Sequence, residues 1–206
     1  MAYQYELVLF DLDGTLTDSG LGIMNSVQYA LKKNRQGRRK IWKSLNASWD
    51  RRLHSSFAKF CGFSDEKGHQ MVEFYREYYE EKGMLENSVY DGIPEVLEQL
   101  KNAGIRLAVA TSKPEKYARK IAEHFKIAPY FEFIGGANMD GSRTKKAEVI
   151  EYVLKNCKVE DRQSVLMVGD REHDILGAKA CKVSALGSCM AMVTERSLKM
   201  QALTGL

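Results

Sequence analysis

Four short apolar runs punctuate the chain, at Tyr5–Phe10, Ile105–Ala110, Phe131–Ile134 and Ser164–Val168. The first, second and fourth hold a continuous apolar stretch, Leu7–Phe10, Leu107–Ala110 and Val165–Val168, the pattern of a strand buried on both faces. All four end in residues that turn the chain or offer polar groups: Asp11, Thr111-Ser112-Lys113, Gly135-Gly136 and Gly169-Asp170. Apolar positions recur at helical spacing over Ile93–Ala103, Glu115–Phe125, Lys146–Asn156 and Asp174–Ala180. Strand, polar loop and amphipathic helix, repeated, predict an α/β fold with a Rossmann-like parallel sheet covered on both faces. Between Ser19 and Gly83 the alternation stops, and only helical patterns remain, over Gly22–Lys33 and Asp65–Glu81. This is a helical insertion placed after the first strand. Open parallel sheets bind ligands beyond the carboxyl ends of their strands, so the insertion is expected to cap a site there. The expected division is a core of residues 1–18 and 84–206 and a helical cap domain of residues 19–83.

Composition narrows the class without naming a chemistry. The 206 residues are 44% hydrophobic and 28% charged with only 3 prolines, which excludes a disordered or fibrous chain. No stretch approaches the run of about twenty apolar residues that a membrane span needs. The first residues lack the basic-then-apolar layout of a secretory signal, so a cytoplasmic location is expected. Cys61, Cys157, Cys181 and Cys189 form no CxxC pair, which argues for free thiols over a zinc ribbon or a disulfide framework. The net charge of +4 is local, with nine lysines and arginines between Lys32 and Arg52. A solvated face is the commoner origin of such a run than a nucleic-acid patch.

The strand ends carry the candidate chemistry. Asp11-Leu12-Asp13-Gly14-Thr15 sets two carboxylates two residues apart, followed by a glycine that permits a sharp turn. Two close acids repel when ionised, and a divalent cation between them relieves this; an oxygen-only ligand set favours Mg²⁺. A lone DxD is more often a solvated loop, but the other strand ends weigh against that reading. Thr111, Ser112 and Lys113 offer a hydroxyl and backbone N–H donors suited to a phosphate oxygen, although the same residues make an ordinary start to a helix. Lys146 opens the next helix and could supply a fixed positive charge, as could its neighbours Lys145 and Arg143. Asp170 and Asp174 follow the fourth strand, and a metal near Asp11 would take Asp170 as a ligand. His173 reads more readily as an exposed loop residue than as a base.

FDLDGT at Phe10–Thr15, the Thr111 strand end, Lys146 and GDREHD at Gly169–Asp174 resemble, in order and spacing, the four motifs of the haloacid-dehalogenase-like hydrolase superfamily. The helical insertion resembles the cap of its phosphoglycolate phosphatase and β-phosphoglucomutase branch. The resemblance implies a Mg²⁺-dependent phosphatase of small phosphomonoesters, of the phosphoglycolate or nucleoside monophosphate type. In that reading Asp11 is the nucleophile that forms an aspartyl-phosphate, and Asp13 is the general acid and base. Thr111, Ser112, Lys146 and Gly14 bind the phosphoryl group. Asp11, Asp170 and the Asp13 carbonyl hold the metal, and Asp174 orients Lys146 or the metal's waters. The implied partner is a small phosphorylated metabolite, with no nucleic acid or membrane and with a monomer or homodimer as the unit. The rivals are a phosphomutase of the β-phosphoglucomutase type and a catalytically impaired product that only binds an anionic partner.

Two tracts, Asn34 to Arg52 and Ser188 to Leu206, depart from this resemblance. The family's Gly-Pro-Pro-Leu-like cap turn and its Gly-Tyr-Gly-like loop with a final strand and helix have no counterpart in them. Joining the last base of each codon to the first two of the next allows DLEELKCFMGPP over Lys40 to Arg52, leading into Leu53, and VLYGYGDREELKNAGADWI across the second tract. Part of this is forced by the code, since Trp49-Asp50, Met190-Ala191 and Met192-Val193 must each give Gly. The expectation is a compensated frameshift across the cap and an uncompensated one near Gly187, which makes the basic run an accident of frame.

Overall fold

The computed structural model describes residues 5–34, 57 and 61–187. Of the two departing tracts only Asn34 is among them, so the expected frameshifts, most of the basic run and Cys189 lie outside the described residues. The chain divides into two compact units, Met1–Asp18 with Ser88–Leu206, and Ser19–Asn87.

The first unit is built on a five-stranded parallel sheet in the order β5-β4-β1-β6-β7. Its central strand, β1 (Leu7–Phe10), is buried at every residue and pairs with β4 (Arg106–Pro114) on one side and β6 (Val165–Gly169) on the other. A strand with neighbours on both edges and helices on both faces has no solvated side, which is why its sequence is apolar throughout. Each such side chain contributes roughly 1.5–3 kcal/mol of burial. β5 (Phe133–Ala137) and β7 (Ser184–Gly187) form the edges of the sheet. A short antiparallel pair, β2 (Thr17–Asp18) with β3 (Ser88–Val89), flanks the points where the chain leaves and re-enters this unit.

Three helices against the sheet follow from their apolar spacing. The first, Ile93–Asn102, is entered through Gly92 and Pro94 and buries Ile93 and Leu97. The second, Glu115–His124, buries Tyr117, Ala118, Ile121 and Ala122, one face of a 3.6-residue repeat. The third, Lys146–Asn156, buries Val149, Ile150, Val153 and Leu154 against Leu9, Ala108 and Met167 of the sheet. A fourth helix, Glu172–Ala180, begins two residues earlier than its apolar pattern predicts, because the Asp174 carboxylate accepts from the Arg171 backbone N–H at 3.0 Å and caps the first turn. The Cys157 and Cys181 thiols are buried, and desolvation pushes their pKa values up to about 12 and about 11. Cys61 is partly buried.

The second unit contains the helices Gly20–Lys33 and Asp65–Tyr78. The latter is capped by Ser64, whose hydroxyl accepts from the Lys67 N–H at 3.3 Å, and it continues into a wider π-type turn over Tyr79–Gly83. Glu86 binds this unit together, accepting from Asn25 Nδ2 and from the Tyr78 hydroxyl, each at 2.8 Å. These bonds carry the helical unit to Asn87, four residues beyond Gly83. No helix among the described residues is long and apolar enough to cross a membrane.

Candidate functional site

The carboxyl ends of β1, β4 and β6 and the start of the Lys146 helix meet in the first unit. Asp11 leaves β1 with its backbone N–H donating to the Val168 carbonyl at 2.9 Å. The chain then closes a tight loop, in which the Leu12 carbonyl accepts from Leu16 and Thr17 and the Gly14 N–H donates to the Thr17 carbonyl. Gly14 is required there twice over. Its φ is +83°, and a Cβ at that position would lie 2.3 Å from the Asp170 Oδ2. Thr15, itself buried, directs its hydroxyl toward Asp170 Oδ1 at 3.5 Å.

Lys146 is the hub of the site. Its ammonium lies 3.0 Å from Asp11 Oδ1 and 2.6 Å from Asp174 Oδ1, and it donates to the Ala110 carbonyl at 3.0 Å, with only 2% of its side chain exposed. Gly177, on the fourth helix, makes room for it, since a Cβ there would meet the Lys146 Cγ at 2.7 Å. The alternatives fall away on geometry. Lys145 is 82% exposed, and Arg143 is engaged with the Gly136 carbonyl and stacks on the Tyr152 ring 3.7 Å away. His173 is exposed.

Asp11, Asp170 and Asp174 each bring a carboxylate oxygen within 4.8 Å of the others. Lys146 pairs with Asp11 and Asp174, while the Arg171 guanidinium lies 3.8 Å from Asp170, and the differing surroundings register in the proton affinities of the three acids. Burial works to raise the Asp11 pKa, but the Lys146 charge, the Thr111 hydroxyl and the Leu12 N–H outweigh it and hold the carboxyl below its ordinary range. Burial and the Asp11 charge push Asp170 and Asp174 the other way, above theirs, despite the contact between Asp174 and Lys146. An excess of close carboxylates made wholly of oxygen donors is a site that a hard divalent cation fits. The cluster could therefore hold a metal.

The remaining residues expected at the site divide. Thr111 is buried at the turn of β4, where its hydroxyl accepts from the Lys113 N–H at 3.2 Å. Ser112 is partly buried, and its hydroxyl has no hydrogen-bond partner among the described residues. Asp13 is set apart from the acid cluster and pairs through Oδ2 with the Lys113 ammonium at 2.6 Å. Lys113 was expected to offer only its backbone, yet its side chain is 6% exposed and enters the site. No pattern in the sequence marks it, because residues 111–113 fall where the pairing of β4 with β5 is irregular. Thr15 lay within the first motif without a role attached to it.

The chain as a whole is similar to known proteins. The haloacid dehalogenase-like hydrolase family model matches residues 8–188. The chain is 40% identical to a 5'-nucleotidase of Pseudomonas aeruginosa over 198 residues, 96% of this chain and 89% of that protein. It is 42% identical to Tyrosine-protein kinase PtkA of Mycobacterium tuberculosis over 85% of its own length, and spans 59% of that protein. Among solved structures, a predicted phosphatase from Clostridium acetobutylicum aligns with a TM-score of 0.82 at 40% identity, covering 97% of this chain and 91% of that one. With the acid-ended parallel strands, the buried lysine and a model match over most of its length, the chain belongs to the haloacid dehalogenase-like hydrolase family.

Proposed function

We propose that this protein hydrolyses small phosphomonoesters, nucleoside monophosphates first among them, through an aspartyl-phosphate on Asp11 and with Mg²⁺ as cofactor. The observation that carries the reading is the Asp11 carboxylate, buried at the end of β1, kept ionised and facing the buried Lys146 ammonium 3.0 Å away. A carboxylate held in that form is an available nucleophile, and a fixed cation beside it stabilises charge that gathers on phosphoryl oxygens. The likeness to a 5'-nucleotidase puts nucleoside monophosphates ahead of phosphoglycolate.

In the first step an Asp11 oxygen bonds to phosphorus as the ester P–O bond breaks, and a proton from Asp13 passes to the departing oxygen. In the second, a water oxygen bonds to phosphorus and gives its proton to Asp13, and the Asp11 carboxylate leaves, releasing inorganic phosphate. Thr111, Ser112 and the Gly14 backbone hold the phosphoryl oxygens, with Lys146 neutralising them. Asp174 orients Lys146. Mg²⁺, held by the Asp11 and Asp170 carboxylates and the Asp13 backbone carbonyl, would supply further positive charge to the same oxygens. Substrate choice falls to the helical unit, acting as a cap.

The test is phosphate release from a panel of nucleoside monophosphates, phosphoglycolate and a hexose phosphate, with Mg²⁺ and with chelator, beside Asp11→Asn. The expected result is Mg²⁺-dependent release that drops at least about a thousandfold in the variant. Release that survives in Asp11→Asn would rule out the covalent route. The likeness to PtkA favours a second reading, phosphoryl transfer to a tyrosine hydroxyl in place of water. Labelling of a tyrosine peptide from ATP that exceeds hydrolysis would select it.

A further inference from the structure

Lys113 is nearly as buried as Lys146, with 6% of its side chain exposed against 2%, and it pairs with a different carboxylate of the first motif. Burying an ammonium is costly, and an apolar side chain would fill the same channel without that cost. What the charge meets is Asp13, at 2.6 Å through Oδ2. Oδ1, the other oxygen of that carboxylate, is buried and has no hydrogen-bond partner among the described residues.

The backbone is shaped to deliver this contact. β4 and β5 pair in step up to Ala110 and Gly135, and then β4 takes four residues to reach Pro114 while β5 takes two to reach Ala137. The extra length bows Thr111–Lys113 out of the ladder, and the bow is pinned where the Lys113 N–H donates to the Thr111 hydroxyl at 3.2 Å. Lys113 is thereby set opposite Asp13, one hundred residues earlier in the chain.

An ammonium has three donors and no acceptor. The carboxyl oxygen it holds must act as an acceptor, so a proton carried by Asp13 is confined to the other oxygen. We infer that Lys113 is a positioning residue for proton transfer: by holding Asp13 Oδ2, it assigns the proton to Oδ1 and fixes the rotation at which the carboxyl meets the leaving oxygen. The inference rests on the hydrolytic reading above. It adds no atom to the balance of either step, because the proton that leaves and returns is the one on Asp13.

General-acid help matters for a poor leaving group and little for a good one, whereas a misfolded site or weakened phosphate binding harms both. The experiment compares kcat/KM, which reports the first chemical step, for an alkyl phosphomonoester and for 2,4-dinitrophenyl phosphate in wild type, Lys113→Met and Lys113→Gln. Two variants are read so that one failing to fold does not end the test. Binding of inorganic phosphate is measured alongside by calorimetry. The expected result is a loss of about tenfold to a hundredfold on the alkyl ester, less than about threefold on the dinitrophenyl ester, and unchanged phosphate affinity. Equal losses on both esters, or weaker phosphate binding, would overturn the inference and make Lys113 a phosphate ligand or a structural residue. Failure of the hydrolytic reading shows separately, as wild-type protein that turns over neither ester with Mg²⁺, and it would take this inference with it.

Discussion

Two lysines in this molecule sit beside carboxylates under opposite conditions. In the sheet unit Lys146 is 2% exposed between Asp11 and Asp174, with its stem packed on Gly177. In the helical unit Lys33 is 39% exposed and pairs with Glu77, itself 48% exposed, while its ammonium lies over the Tyr29 and Phe74 rings. Both are close ion pairs, but water can replace either partner in the second and neither in the first. Contact distance therefore says little about consequence. What separates the two regions is whether the charge left behind by a deletion can be hydrated.

Substitutions can sharpen that contrast. The largest effect is expected for Lys146→Met, which strands Asp11 and Asp174 in a buried site. Stability without added metal should fall by about 3–5 kcal/mol in urea titration, and phosphate release should fall to background. A variant as stable as wild type would mean that the acids had taken up protons at little cost, and the contrast with Lys33 would dissolve. Next is Gly14→Ala, which meets a left-handed backbone and the Asp170 carboxylate together. It should cost about 1–2 kcal/mol from the backbone alone, read as a lowered melting temperature, with a further loss of activity as Asp170 is displaced. The smallest is Glu77→Gln, for which the melting curve should overlay that of wild type at low and at high salt. A shift seen only at low salt would show that the exposed pair contributes after all.

The sheet was legible where burial is complete. β1, β4 and β6 are continuous apolar runs because each has a neighbour on both edges, and their acidic or hydroxyl ends marked the positions that the fold draws together. β7 left no such mark. It is a four-residue edge strand, Ser-Ala-Leu-Gly, exposed at every second position, so nothing distinguishes it from a loop. The widened turn at Tyr79–Gly83 was likewise invisible, since one extra residue per turn depends on packing and not on residue type. Lys113 escaped for a related reason. Its role depends on two extra residues in a strand pair, a mismatch between β4 and β5 that neither sequence carries alone.

The parallel order of the sheet also bears on when the site comes into being. β1 is flanked by β4 and β6, so Asp11 and Asp13 emerge early in synthesis and wait for partners that are translated much later, Lys113 first, then Lys146, then Asp170 and Asp174. Such crossovers carry a large loop-closure entropy and form slowly. Helix content can therefore recover while the acids are still unmatched, and recovery of activity after dilution from denaturant reports the docking of β6 rather than the collapse of the chain.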